Sequence, residues 1–210
     1  MIIAIDGTLA SGKGTIARRI GAWFGLPHMD TGRLYRAVAV ASLQSDTQLD
    51  DEAALAKIAI RLDLGDFDED ALRTAEAGQA ASKVAALPQV RAALLQLQRA
   101  FAAQSGGAVL DGRDIGTVVC PQADVKLWID ARIEVRAERR WRELIARGED
   151  LSLDDMIQQL KERDARDRDR DSAPMTQAAD AVLIDTSDLT IDAAVDKARH
   201  IVETKMAGKI

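Results

Sequence analysis

Gly7-Thr8-Leu9-Ala10-Ser11-Gly12-Lys13-Gly14-Thr15 follows an apolar run, residues 2–5, and opens a stretch of helical period, residues 13–24. Glycines let a backbone turn tightly and aim several N–H groups inward, where a phosphate replaces their water contacts. The helix behind the loop adds its partially positive N-terminus, and Lys13 adds a full charge near the β- and γ-phosphates. One position departs from the strict G-x-x-x-x-G-K-[ST] pattern: Gly14 stands where the hydroxyl belongs, and Thr15 comes one residue later. A plain glycine-rich turn carrying an exposed lysine is the bland alternative. The flanking strand and helix favour a nucleoside-triphosphate site.

Outward from this loop, short apolar runs at residues 28–30, 108–111, 125–130 and 181–185 alternate with helical stretches. The latter fall at residues 33–43, 52–62, 90–103, 133–147, 153–171 and 191–206. In 90–103, Val90, Leu94, Leu97 and Phe101 share one helical face. Buried strands alternating with helices predict an α/β fold with a parallel sheet covered on both sides. Ligands bind such sheets beyond the C-terminal strand ends, where Asp6, Asp30, Asp111, Asp130 and Asp185 fall. Residues 46–86, rich in alanine and acidic residues, read as a helical insertion. Residues 148–174, densely charged and ending in Ala173-Pro174, read as a second small subdomain. The core is then expected at 1–45, 87–147 and 175–210, all within one domain.

The chain has 210 residues, 47% hydrophobic and 30% charged, enough apolar material for a core. With 28 Lys and Arg against 34 Asp and Glu, its net charge is −6. Such a chain is a poor general binder of nucleic acid, whose grip depends on cations releasing counterions. Three Phe, three Trp and one Tyr do not make a platform for stacking bases. Cys120 is the single cysteine, which fits a reducing, cytoplasmic setting, and with only His28 and His200 there are too few Cys/His ligands for zinc. The N-terminal run lacks a basic region and stops at Asp6, so it is not read as a signal peptide, and no run is long enough to span a membrane. No functional case is made for Cys120 or the two histidines. Trp23, Trp128 and Trp141 are expected as core or partly buried packing residues.

The chain contains no asparagine. That removes the asparagine with which GTP-binding switches read guanine and the one that holds the second metal in protein kinases. Small-molecule kinases remain, since they need a phosphate loop, a metal and a second anion pocket.

Three further segments supply candidates for that pocket. Asp30 and Thr31 can cap a helix, but capping does not explain the Tyr35 and Arg36 that follow. Asp111-Gly112-Arg113-Asp114-Ile115-Gly116-Thr117-Val118-Val119 sets opposite charges beside glycines just after a strand. Residues 163–171 hold four arginines and four aspartates, balanced in charge. On a continuous helix Arg163, Arg166 and Arg170 fall within an arc of roughly 60°, beside Asp167, while Arg168 points elsewhere. A solvated face of i,i+4 ion pairs is one reading; a guanidinium clamp for phosphoryl oxygens is the other.

Taken together, these segments, with Ser82-Lys83-Val84-Ala85-Ala86, Pro88, Arg91 and residues 163–174, resemble the bacterial cytidylate kinases, in the family's order and across nearly the whole chain. The phosphate loop is common to many kinases; residues 111–119 and 163–174 are far more specific. The resemblance implies a nucleoside monophosphate kinase fold, with 46–86 as monophosphate-binding insertion and 148–174 as lid. It implies transfer from ATP, with Mg²⁺, to CMP or dCMP; a monomer that engages neither nucleic acid nor membrane is expected. Gly7 through Thr15 would bind ATP phosphates. Ser82, Arg91, Arg113 and Asp114 would line the monophosphate pocket, Ser82 and Asp114 on the cytosine side, with Thr31, Tyr35 and Arg36 flanking the acceptor. Arg163 and Asp167 would approach its sugar, and Lys13, Arg163 and Arg170 the phosphates in transit. Asp111, Asp30 and Thr15 are the candidates for Mg²⁺. One departure stands out: the family carries a β-rich segment before Ser82, whereas residues 64–73 are short, acidic and without an obvious hairpin. Another small-molecule kinase, with UMP, AMP or shikimate as acceptor, and a non-catalytic ATP-binding regulator are the rival readings.

Overall fold

The computed structural model describes residues 1–208; Lys209 and Ile210, the end of the expected 175–210 core segment, lie outside them. Five parallel strands run in the order β2-β3-β1-β4-β5. They are β1 (Ile2–Gly7), β2 (His28–Asp30), β3 (Ala108–Gly112), β4 (Val125–Asp130) and β5 (Val182–Asp185). Ile5 stands level with Asp111 on one side and Leu127 on the other, so the aspartate-bearing strand ends form a single edge. The chain leaves central β1 toward β2 on one side and later reaches β4 and β5 on the other, the divergence at which open sheets bind ligands.

Alternation along the strands covers both faces. Ile3 and Ile5 pack with Ile16, Ile20, Val195 and Val202, from α1 (Lys13–Phe24) and α8 (Ile191–Ala207). Ala4 and Leu110 face the other way, toward Ala102 of α5 (Pro88–Ala102). Gly7 ends β1 with φ +149°, where a Cβ would lie 1.9 Å from the Ile129 carbonyl oxygen, so only glycine lets β1 and β4 close together there.

Three helices fill the region between β2 and α5: α2 (Thr31–Gln44), α3 (Glu52–Ile60) and α4 (Ala75–Val84). Between α3 and α4 lie only two 3₁₀ turns, Leu64–Asp66 and Ala71–Arg73, where the sequence shows no hairpin. Helix α4 was not foreseen as a separate element. Its buried face is Ala77, Ala80, Ala81 and Val84, small residues that carry a weak periodic signal.

Helices α6 (Ile133–Ile145) and α7 (Leu153–Asp169) pack through Ala137, Leu144, Met156 and Leu160 and through a buried ion pair, Arg136 to Asp164 at 2.7 Å. Helix α7 stops two residues short of the expected 171. Arg170 is extended (φ −64°, ψ 140°), the Met175 amide bonds back to the Asp167 carbonyl, and Ala173 takes φ +50° before Pro174. The Asp167 carbonyl thus takes the Met175 amide in place of that of Asp171, which ends the helix, and Ala173, before proline, is itself kept out of the helical region.

Of the tryptophans, Trp128 is buried and Trp141 half-buried, its indole N–H donating to the Leu151 carbonyl at 2.9 Å. Trp23 corrects the expectation: it is 62% exposed on the outer face of α1, with the Arg199 guanidinium 4.4 Å over its ring. That cation–π contact gives the exposed ring a partner at the surface.

Candidate active site

A cleft of about 330 Å³ opens at the C-terminal edge of the sheet, between the phosphate loop, α2, α4 and α7. Nine basic and five acidic side chains line it, a surplus of four positive charges on a chain of net −6. Leu9, Ala10, Gly12, Lys13, Gly14 and Thr15 form one wall. Gly12, the residue before α1, sits at φ +92° with open space where a Cβ would be, presenting the helix N-terminus to the cleft.

Gly7, Thr8 and Ser11 do not line the cleft; they brace the loop from behind. The Thr8 hydroxyl donates to Asp130 at 2.6 Å, the Ser11 hydroxyl to the Thr8 carbonyl at 2.9 Å, and the Thr186 hydroxyl to the Ser11 carbonyl at 2.8 Å. Arg136 donates to the Leu9 carbonyl at 3.3 Å. Lys13 Nζ donates to the Thr8 carbonyl at 3.1 Å and is 8% exposed. Burial, with Arg113 nearby, lowers its ammonium to about 7.

The opposite wall is built on paired charges. Asp114, at the end of the β3 loop, meets the Arg91 guanidinium from α5 and Arg170 at 3.4 Å. Asp167 on α7 accepts from Arg113 Nε at 3.1 Å and from the Ser82 hydroxyl at 3.3 Å, with Arg163 Nε 3.9 Å away. Burial disfavours the Asp167 charge, but Arg113, Arg163 and Arg170 overcome it and hold the carboxyl below its ordinary range. Arg163 is pulled down to about 10, chiefly by burial. Tyr35 faces the cleft with the Arg91 guanidinium 5.7 Å from its ring centre. Arg36 bonds Asp30 at 2.7 Å, and the Thr31 hydroxyl donates to the Asp111 carbonyl at 2.8 Å.

Thus Arg163 and Arg170 reach the cleft, whereas Arg166 is tied to the Gln79 side chain at 2.8 Å outside it. The arc inferred for a continuous helix does not hold, because Arg170 has left the helix. Sequence reasoning also missed Arg18, Arg73, Arg140 and Glu143, which line the cleft without any motif to flag them. His28, given no role, bonds Asp111 through Nε2 at 2.7 Å. The register brings this about: His28 is level with Val109 on the adjacent parallel strand, which puts Asp111, two residues on, on the same face.

A family model for cytidylate kinase matches residues 3–204. The chain belongs to the cytidylate kinase family. Cytidylate kinases from Xanthobacter autotrophicus and Caulobacter vibrioides are 59% and 55% identical to it. The first match covers 100% of both chains, the second 98% of this chain and 97% of the relative. A cytidylate kinase from Rhodopseudomonas palustris is 52% identical, over 100% of this chain and 99% of its own. Among solved structures, an uncharacterized protein from Eubacterium ventriosum superposes with a TM-score of 0.58 at 12% identity, over 97% of this chain and 99% of that one. A Thermus thermophilus protein, TT1252, gives 0.51 at 19%, over 98% and 97%. These two speak to the fold alone. Membership in the cytidylate kinase family makes the chain a phosphotransferase that carries a phosphoryl group from ATP to CMP.

Proposed function

We propose that the cleft holds ATP and CMP, or dCMP, end to end, with the triphosphate on the Lys13 wall and the acceptor on the Asp114 wall. The observation that carries this is the meeting of the phosphate loop, the Asp114–Arg91–Arg170 cluster and the Asp167–Arg113–Arg163 cluster around one cavity. Residues 46–86 then serve as the acceptor-binding insertion and 148–174 as the lid, working as a cytoplasmic monomer. Among the described residues no helix is long and apolar enough to cross a membrane.

The acceptor is already a phosphate, largely dianionic near neutrality, so no side chain has to act as nucleophile or base. One of its oxygens forms a bond to the γ-phosphorus as the bond to the ADP oxygen breaks. Lys13 and the loop amides hold the donor. Arg163 and Arg170 neutralise charge on the moving group, while Ser82 and Asp114 orient the base, Arg91 and Arg113 the acceptor phosphate, and Asp167 the sugar. Thr31, Tyr35 and Arg36 flank it. Lid arginines closing over the cleft keep water from taking the phosphoryl group.

The donor set fits Mg²⁺. No group of three or more acidic, His or Cys side chains forms a cage among the described residues, and Mg²⁺ binds nucleotides through one or two carboxylates plus phosphate oxygens. Asp111 lies 3.8 Å from where a Gly14 Cβ would be, beside the loop, with its Oδ2 bonded to the His28 ring, whereas Asp30 is held by the charged Arg36. Asp111, with Thr15, would hold the ion, whose chemistry is to neutralise charge on the β- and γ-oxygens.

Arg170→Ala tests the clamp. Steady-state kinetics should show kcat falling on the order of 10³-fold while KM for CMP moves by less than about tenfold. A kcat near that of the unmodified protein removes Arg170 from the transition state.

A further inference from the structure

Asp114 precedes a single π-turn, Ile115–Val119, closed by the Cys120 amide on the Ile115 carbonyl at 2.7 Å. An aspartate at such a position ordinarily folds back to accept from the first amides of its own turn. Asp114 makes no such bond; its oxygens face Arg91 and Arg170. Those amides are satisfied from another strand. Asp6 Oδ1 accepts from the Ile115 amide at 2.8 Å, and Asp6 Oδ2 from the Gly116 amide at 2.7 Å.

Asp6 is 4% exposed and sits on β1, level with Gly112 of β3 and Trp128 of β4. Burial pushes its carboxyl up to about 7 although both amide bonds and Arg113 pull it down. The centre of the sheet therefore carries an acid that costs stability, where an apolar side chain would serve the core. Ile115, fully buried with Leu110 and Val119, anchors the turn on the sheet but does not decide where Asp114 points.

We propose that Asp6 is a positioning residue for recognition of the acceptor base: by capping the π-turn in place of Asp114, it releases the Asp114 carboxylate to the cleft. Without Asp6, two buried amides lose their acceptor, and that of Gly116, the second of the turn and within reach of a capping side chain, draws Asp114 back onto its own turn, away from Arg91 and Arg170. The inference rests on the reading that Asp114 meets the cytosine side of the acceptor, and it gives β1 two tasks. Its end leads into the donor loop at Gly7, and the residue just before fixes the acceptor wall.

Asp6→Asn keeps the shape and one acceptor oxygen but sets an NH₂ group against the second amide. KM for CMP should rise about tenfold, with KM for ATP within about twofold of the unmodified protein. An unchanged KM for CMP overturns the inference. So does equal weakening of CMP and ATP, which would assign Asp6 to support of the phosphate loop. Should the variant not fold, hydrogen exchange on the unmodified protein decides: the Ile115 and Gly116 amides should exchange as slowly as those of β1, and exchange at loop rates overturns the capping. Failure of the unmodified protein to phosphorylate CMP would overturn the reading of the site, and the inference with it, before any variant is made.

Discussion

Lys13 is a cation that the protein's own groups barely keep charged. Its ammonium is nearly buried, held by one carbonyl, and lowered to about 7 by burial and by Arg113. A bound triphosphate surrounds it with negative charge and raises it again, so above neutrality ATP binding must draw a proton from solvent. The sign follows: affinity for ATP falls as pH rises past about 7, the region where the free Lys13 loses its proton. Calorimetry in buffers of different ionisation enthalpy should find uptake approaching one proton at about pH 8 and little at about pH 6. Absence of uptake at the higher pH would show Lys13 already charged in the free protein. The identity of Lys13 was legible because a spacing fixes it. Arg140 lines the same cleft and His28 holds its lining residue Asp111, through contacts across 67 and 83 residues that no local pattern carries.

Helix α7 is the element that brings Arg163 and Asp167 to the wall of the cleft facing the phosphate loop. Its start is fixed by a capping box in which the Ser152 hydroxyl accepts from the Asp155 amide at 3.1 Å and the Asp155 carboxylate accepts from the Ser152 amide. Farther along, Arg163 donates to the Gly78 carbonyl at 2.8 Å, Arg166 to Gln79, and Gln79 to Gln159 at 3.1 Å, so α7 is laced to α4. Ser152→Ala should cost about 1 kcal/mol, a fall in Tm of roughly 2–4 °C for a chain of this size. Thermal denaturation checks it, and an unchanged Tm would mean that α7 is set wholly by its packing. Strands and helices with strong periodicity, such as residues 13–24 and 125–130, could be read from sequence because tertiary packing agrees with local pattern there. Three features could not. The alanine face of α4 gives little hydrophobic contrast, the π-turn after Asp114 depends on a carboxylate from β1, and the end of α7 is set by a turn before Pro174.

At the scale of the molecule, an acidic chain concentrates nine basic side chains around one cleft and interleaves them with acids. Paired in this way with Asp114 and Asp167, the Arg91 and Arg113 guanidiniums are held in place before a nucleotide arrives. The phosphate loop projects from the centre of the sheet, and the opposite wall of the cleft is hung on its neighbour β3 and on α4, α5 and α7. The short connection between α3 and α4, two 3₁₀ turns in place of strands, leaves α4 directly against α7. A coupled assay of ADP release, run with ATP, Mg²⁺ and CMP, dCMP, AMP or shikimate in turn, tests the central claim most directly. Release should depend on CMP or dCMP and be absent with AMP and shikimate. Release that ignores CMP, or follows AMP or shikimate instead, would contradict the account.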